Sequence, residues 1–246
     1  MSTTPVLTGV GMGPGDPELV TVKAVRALRE AAVVVVPVLD GGERGRAEAT
    51  VAHHLDDPTR VVRVVFALNE RADRARREAA WDAAGDRVAQ LLREHGPVAF
   101  ATIGDPNVYS TFTYLAQTVR AAVPGLRVVT VPGITAMQDL AARGGAVLTE
   151  GTEPLTLVPV TAGLDVLRGA LAGQGTVVAY KFGRQAGEVA AALRETGRLT
   201  GAVWGSSLGL PGESVHPADH LPAEGELPYL STLIAPAPRT GRGGRL

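Results

Sequence analysis

Gly9-Val-Gly-Met-Gly-Pro-Gly-Asp-Pro-Glu-Leu19 closes an apolar run that begins at Val6 and opens an amphipathic one that begins at Thr21. A strand that ends in clustered glycines and hands over to a helix marks an α/β unit. Glycine lets backbone approach a ligand closely, and free N–H groups there favour anions. The dinucleotide pattern G-x-G-x-x-G is not met, because the last glycine falls on Pro14 when counted from Gly9 and on Asp16 when counted from Gly11. No G-K-[S/T] follows, so the run is not a P-loop. An acidic-x-G-x-G-x-G methyltransferase loop is a nearer match. Gly9, Gly11 and Gly13 are in place, Leu7 stands at the acidic position, and Asp40 would serve as the ribose-binding acid.

Outward from this run, apolar segments of strand length alternate with longer amphipathic ones. Residues 6–12, 33–38, 61–68 and 98–103 read as buried strands, and 21–31, 46–55, 70–94 and 111–122 as helices. Thr21 is the expected N-cap of the first helix, with Val22, Val25 and Leu28 on one face. The Arg/Asp/Glu-rich start of the third reads as a solvated face. Pro124-Gly125 breaks the chain and is the expected domain boundary. Beyond it, strands at 127–131, 155–160, 176–182, 201–207 and 229–235 alternate with helices at 134–143, 164–171 and 186–195, and 211–228 reads as a loop or hairpin. The expectation is an α/β protein with an N-terminal α/β domain over 1–123, a C-terminal α/β domain over 124–239 and a disordered tail over 240–246.

Composition narrows the chemistry. The 246 residues suit two domains of about 100–150 residues each. With no cysteine, disulfides, thiolate metal sites, iron–sulfur clusters and cysteine nucleophiles are excluded. Lys+Arg 24 against Asp+Glu 25 lacks the basic excess of a nucleic-acid binder. The longest apolar run, 31–39, is interrupted by Pro37 and falls short of the roughly 20 residues a membrane helix needs. No partner nucleic acid or membrane is expected, and a cytoplasmic location is. The five histidines show no tight ligand spacing. His216 and His220 are four apart, but Pro217 argues against a helical metal site, so no metal is expected.

Two further strand-to-helix junctions carry short motifs. Gly104-Asp-Pro-Asn-Val-Tyr-Ser-Thr-Phe112 follows the strand at 98–103, at the carboxyl end where open α/β sheets bind ligands. Asp105-Pro106 fixes a turn, and Ser110 or Thr111 can cap the next helix. Val131-Pro-Gly-Ile-Thr-Ala136 is the third junction. Each alone is a turn plus a cap. Together, in the order strand–GxGPGDP–helix, strand–GDP–helix, strand–PGIT–helix, they resemble the tetrapyrrole methylases over 6–235. Within that family, 11–37, the block GDPNVYSTFTYL at 104–115, Trp81-Asp82 and YKFGR at 180–184 resemble the branch that methylates precorrin-2 at C20 to give precorrin-3A.

The resemblance implies two α/β domains with a cleft between them that binds S-adenosylmethionine, released as S-adenosylhomocysteine, and a homodimer. It implies that Pro14, Ile103, Gly104, Asp105, Val108, Thr111, Thr135, Ala136, Lys181, Ser207 and Leu208 contact the cofactor, largely through main chain. Asp105 and Tyr109 are the candidate catalytic helpers for loss of the ring proton, and Arg143 and Arg184 the candidates for pairing with carboxylates of the tetrapyrrole substrate. The substrate would be precorrin-2 or its cobalt form. A methylase for another ring position, a nucleotide-fold methyltransferase or oxidoreductase built on Gly9–Gly13 and Asp40, and a non-catalytic S-adenosylmethionine or tetrapyrrole carrier are the alternatives.

Overall fold

The computed structural model describes residues 4–39, 44–66, 74–239 and 241, and divides into two compact units, 1–135 and 136–246. The expected tail at 240–246 lies, apart from Gly241, outside the described residues, as does Asp40.

The first unit is built on five parallel strands: β1 (Val6–Gly11), β2 (Val33–Val38), β3 (Val61–Val65), β4 (Val98–Thr102) and β5 (Arg127–Val131), in the order β3-β2-β4-β1-β5. Strands covered on both faces read as continuous apolar runs, and β2 (VVVVPV) and β4 (VAFAT) are buried along almost their whole length. Alternate side chains serve opposite faces. Val10, Val34, Val36, Ala99 and Ala101 pack under α1 (Val22–Glu30) and α2 (Glu48–His54). Leu7, Val33, Val35, Val98 and Phe100 pack under α3 (Arg74–His95) and α4 (Phe112–Ala122). Thr21 caps α1 as expected, accepting from Ala24 N at 3.1 Å. Val22, read as part of the buried face, is 78% exposed; the face that packs is Ala24 and Leu28, one turn apart.

β5 corrects the expected boundary. It pairs with β1 over five residues, from Val6↔Arg127 to Val10↔Val131, so it completes the first sheet and the division falls at Thr135/Ala136. Pro124-Gly125, with Gly125 at φ +74, is only the turn from α4 into β5. A helix breaker stops a helix, but the open edge of β1 recruits the strand that follows.

The second unit is a mixed sheet in the order β6-β7-β10-β8-β9: β6 (Leu155–Pro159), β7 (Thr176–Tyr180), β8 (Val203–Ser206), β9 (Ser214–Pro217) and β10 (Ser231–Ala235). β6 and β7 are parallel, and β10 runs antiparallel to both β7 and β8. α6 (Leu164–Leu171) and α7 (Ala186–Glu195) cover one face, and α5 (Ala136–Gly144) covers the other. β9 lies in the stretch read as a loop or hairpin and forms the hairpin with β8; its half-exposed, Pro-ended sequence SVHP gives no apolar run.

Arg198 holds this unit together. Its residue is 6% exposed, and its guanidinium donates to five backbone oxygens: Leu171, Gly173 and Gly175 around the end of α6, and Ala235 and Pro236 at the end of β10. Burial pulls its pKa down, and the converging carbonyls compensate the desolvation of the charge. Arg198→Ala leaves those acceptors without their donor and should cost about 2–4 kcal/mol, read as a lowered midpoint in urea unfolding. An unchanged midpoint would show that the five bonds contribute nothing net.

Candidate functional site

In the first sheet, β1 and β4 are neighbours whose connections leave in opposite directions. From β1 the chain crosses through α1 to β2; from β4 it crosses through α4, on the other face, to β5. Such a switch point opens a crevice at the carboxyl ends of the strands. The loops there are the three junctions singled out in the sequence. The order β3-β2-β4-β1-β5 also differs from the 3-2-1-4-5 of the nucleotide-fold alternative, which thereby loses its fold.

The three junctions meet backbone to backbone. Met12 N donates to Thr102 O at 2.9 Å and Gly104 N to Gly13 O at 2.6 Å, and Gly13 and Gly104 form an antiparallel bridge beyond the parallel strands. Gly133 leans on both: a Cβ there would lie 2.1 Å from Gly104 O and 2.8 Å from the Gly11 Cα. Gly104 itself is at φ +68, and a Cβ on it would meet nothing within 4 Å, so its open side is room for a ligand beside main chain.

Asp105 ties these loops together. The residue is 9% exposed, and its carboxylate accepts from Asn107 N at 2.8 Å within its own turn and from Gly133 N at 3.0 Å across to the β5 junction. Pro14 is buried in the first loop, and Ile103, Gly104 and Val108 are half-buried around the second. Of the two expected caps of α4, Ser110 acts: Phe112 N donates to Ser110 Oγ at 3.2 Å, while Thr111 makes no side-chain cap bond. Thr135 is buried at the end of the third junction, and Ala136 begins α5.

Two residues missed in the sequence hold the first loop from the side. Thr50, fully buried on α2, donates to Gly15 O at 3.3 Å, and the His54 ring nitrogen Nε2 lies 2.8 Å from Pro17 O. Their segment has only a helical pattern, which carries no sign of the loop it touches.

Backbone strain marks the second junction and two loops of the second unit. Among the described residues, three non-glycines have positive φ: Tyr109 (φ 51) in the second junction, Lys181 (φ 59) after β7 and Ser207 (φ 51) after β8. Each costs about 1–3 kcal/mol, and such residues cluster where ligands are held. In the second unit, Lys181 and Ser207 lie at the same end of the sheet and flank the start of β10, with Ser207 N donating to Leu230 O at 3.0 Å. Leu208, next to it, is buried in the cluster under α5.

The remaining candidates are placed differently from one another. Tyr109 is 42% exposed, and burial of the rest raises its pKa, so its phenol keeps its proton at neutral pH. Arg143 Nε donates to Asp139 Oδ1 and its Nη1 to Glu213 Oε1, both at 2.7 Å. Arg184 is 76% exposed and lies 3.9 Å from Glu226. His216 and His220 have ring centroids 6.2 Å apart and are on a strand and a 3-10 turn, not on one helix.

Residues 6–220 match the model of the tetrapyrrole (corrin/porphyrin) methylases. The chain belongs to that family. It is 31% identical over 236 residues to a precorrin-2 C(20)-methyltransferase from a Sinorhizobium species, covering 94% of each chain. It is 29% identical over 229 residues to a cobalt-precorrin-2 C(20)-methyltransferase from Salmonella typhimurium, covering 93% of this chain and 94% of the other. Among solved structures, a uroporphyrin-III C-methyltransferase from Thermus thermophilus complexed with S-adenosylhomocysteine superposes with a TM-score of 0.63 at 23% identity, over 93% of this chain and 96% of that one.

Gly133→Ala tests the close approach. Its Cβ meets the Gly104 oxygen and the Gly11 backbone, not a flexible side-chain end, so the three junctions must separate. Loss of roughly 2 kcal/mol or more of stability is expected in thermal or urea unfolding, as for other overpacked sites. Gly145→Ala, at φ +63 with open space around it, should cost only about 1 kcal/mol from backbone strain. Equal losses would show that the junctions are not in tight contact.

Proposed function

We propose that this protein is an S-adenosylmethionine-dependent C-methyltransferase that methylates metal-free precorrin-2 at C20, giving precorrin-3A. The observation that carries the reading is the backbone cluster at the ends of β1, β4 and β5 in a chain of the tetrapyrrole methylase family. Its similarity to a precorrin-2 C(20)-methyltransferase along nearly the whole length supports the substrate.

S-adenosylmethionine supplies a methyl group already activated on a sulfonium sulfur. The residues present suit it. Gly104 leaves its backbone open on one side, Pro14, Ile103 and Val108 give an apolar setting, and Thr111 and Thr135 offer hydroxyls. Lys181, Ser207, Leu208 and Ala136 are the positions assigned to it in the second unit.

The transfer forms a bond from a ring carbon to the methyl, breaks the methyl–sulfur bond and releases a proton from that carbon. The chain's main contribution is alignment, which can supply about 7–11 kcal/mol in favourable cases, together with exclusion of water. Asp105 acts through position: its two oxygens hold backbone N–H groups, so it fixes the junctions and is not free to carry the ring proton. Tyr109, kept protonated, is a hydrogen-bond donor at neutral pH, not a base. The same reading carries a cytoplasmic homodimer.

The test is a mass-spectrometric turnover assay with purified protein, S-adenosylmethionine and precorrin-2 generated in place without oxygen, with and without cobalt. One added methyl on the metal-free ring, at C20 by NMR, is expected. Methylation of the cobalt form alone, or at another carbon, would overturn the substrate assignment. Asp105→Ala should weaken S-adenosylhomocysteine binding about tenfold or more in calorimetry while the fold persists, since each lost bond is worth about 1–3 kcal/mol. Wild-type affinity in that variant would remove the second junction from the site.

A further inference from the structure

Arg143 was a candidate for pairing with substrate carboxylates, yet its surroundings give it another task. It sits in the last turn of α5, and its side chain runs back toward the helix N-terminus, as long helical side chains do. There Asp139, 5% exposed and one turn earlier, holds Nε through Oδ1 at 2.7 Å. That contact fixes the guanidinium plane and aims Nη1 at Glu213 Oε1, 2.7 Å away. The other Glu213 oxygen, Oε2, accepts from Gly209 N at 2.6 Å. Two more bonds close the loop on itself: Leu210 N donates to Ser207 O at 2.9 Å and Glu213 N to Leu210 O at 3.1 Å.

A relay thus runs from the buried face of α5 through Asp139, Arg143 and Glu213 to the backbone of Gly209. Its end is the loop that follows β8, which begins with the strained Ser207 and the buried Leu208. Strained backbone persists only when its surroundings over-determine it. The helix that carries Arg143 is a firm base, because Gly144 packs on β8 so closely that a Cβ would lie 3.0 Å from Val203. Two carboxylates also offset the charge of Arg143, which makes it a poor magnet for the carboxylates of a tetrapyrrole.

We propose that Arg143 is a positioning residue: through Glu213 it holds the 207–213 loop in the shape that binds S-adenosylmethionine, and it does not bind the substrate's carboxylates. This rests on the reading that Ser207 and Leu208 contact the cofactor. It separates two roles that leave different kinetic marks, since a cofactor-loop residue changes affinity for S-adenosylmethionine and a substrate ligand changes KM for the macrocycle.

The experiment uses the full chain with Arg143→Met, Arg143→Lys and Glu213→Gln, singly and with Arg143→Met and Glu213→Gln combined. Affinity for S-adenosylhomocysteine is measured by calorimetry and KM for each substrate by turnover. Amide exchange over 207–213 is followed with and without S-adenosylhomocysteine. Arg143→Met and Glu213→Gln should each weaken S-adenosylhomocysteine about three- to tenfold and speed exchange in the loop, with partial recovery in Arg143→Lys. The double variant should be little weaker than the worse single one, because both remove one relay. KM for the tetrapyrrole at saturating S-adenosylmethionine should not move.

Unchanged S-adenosylhomocysteine affinity with a raised tetrapyrrole KM would overturn the proposal and restore Arg143 as a substrate ligand. Should Arg143→Met fail to fold, Glu213→Gln decides alone, because its one amide oxygen can still accept from Gly209 N while its NH2, turned toward Arg143, supplies neither charge nor acceptor to the guanidinium. If wild-type protein binds S-adenosylhomocysteine without protecting 207–213, the assignment of that loop to the cofactor fails and the relay's role fails with it. If the loop is protected and all variants bind like wild type, the loop assignment stands and the relay alone is overturned.

Discussion

The approach of three backbones at Gly11, Gly104 and Gly133 is the constraint on which the first unit's site depends. β4, β1 and β5 are adjacent parallel strands, so their carboxyl ends arrive side by side, and each must turn at once into the connection to the next element. Side chains would hold the turns apart. Without them, the Gly104 oxygen reaches the flank of both neighbouring turns, and Gly104 N reaches Gly13 O. Beyond the last parallel rung, Gly13 and Gly104 continue the main-chain contact as an antiparallel bridge. What faces outward from such a cluster is peptide N–H and C=O in fixed directions, which suits a ligand recognised by shape and backbone hydrogen bonds.

Everything else near these turns acts to keep them there. Asp105 bonds one turn to another, Thr50 and His54 hold the first loop against α2, and Ser110 starts α4 in place of a free amide. In the second unit the equivalent task falls to polar side chains, since β7 and β8 are separated by β10 and their loops cannot lean on each other as the glycines do. There Glu213 holds the loop after β8, while Arg198 gathers carbonyls at the opposite end of the sheet, where β7 begins and β10 ends. The first unit thus combines bare glycine contacts with side-chain ties such as Asp105, whereas the second holds the loop after β8 through a charged side chain.

This difference explains how much could be read from the sequence. Glycine and proline punctuation is local, so GxGPGDP, GDP and PGIT identified the first unit's junctions and the alternation identified nearly every strand and helix. β2, β5, α6 and α7 match their expected bounds because their apolar periods begin and end sharply. What failed was non-local. Pro124-Gly125 marked a turn but could not say that β5 would join β1, since strand pairing is decided by an edge more than a hundred residues earlier in the chain. Arg143 and Glu213 lie 70 residues apart, and neither carries a mark of the other. Strain at Tyr109, Lys181 and Ser207 is likewise invisible in residue type, because none of the three is a residue that favours positive φ.

The most direct test of the central claim is hydrogen–deuterium exchange on the intact protein with and without saturating S-adenosylhomocysteine. Backbone recognition at the three junctions predicts slowed exchange in the peptides spanning 11–19, 103–111 and 132–136, with little change along α3 or β3. Tight binding that leaves those three segments unprotected, or that protects only regions remote from them, would contradict the account.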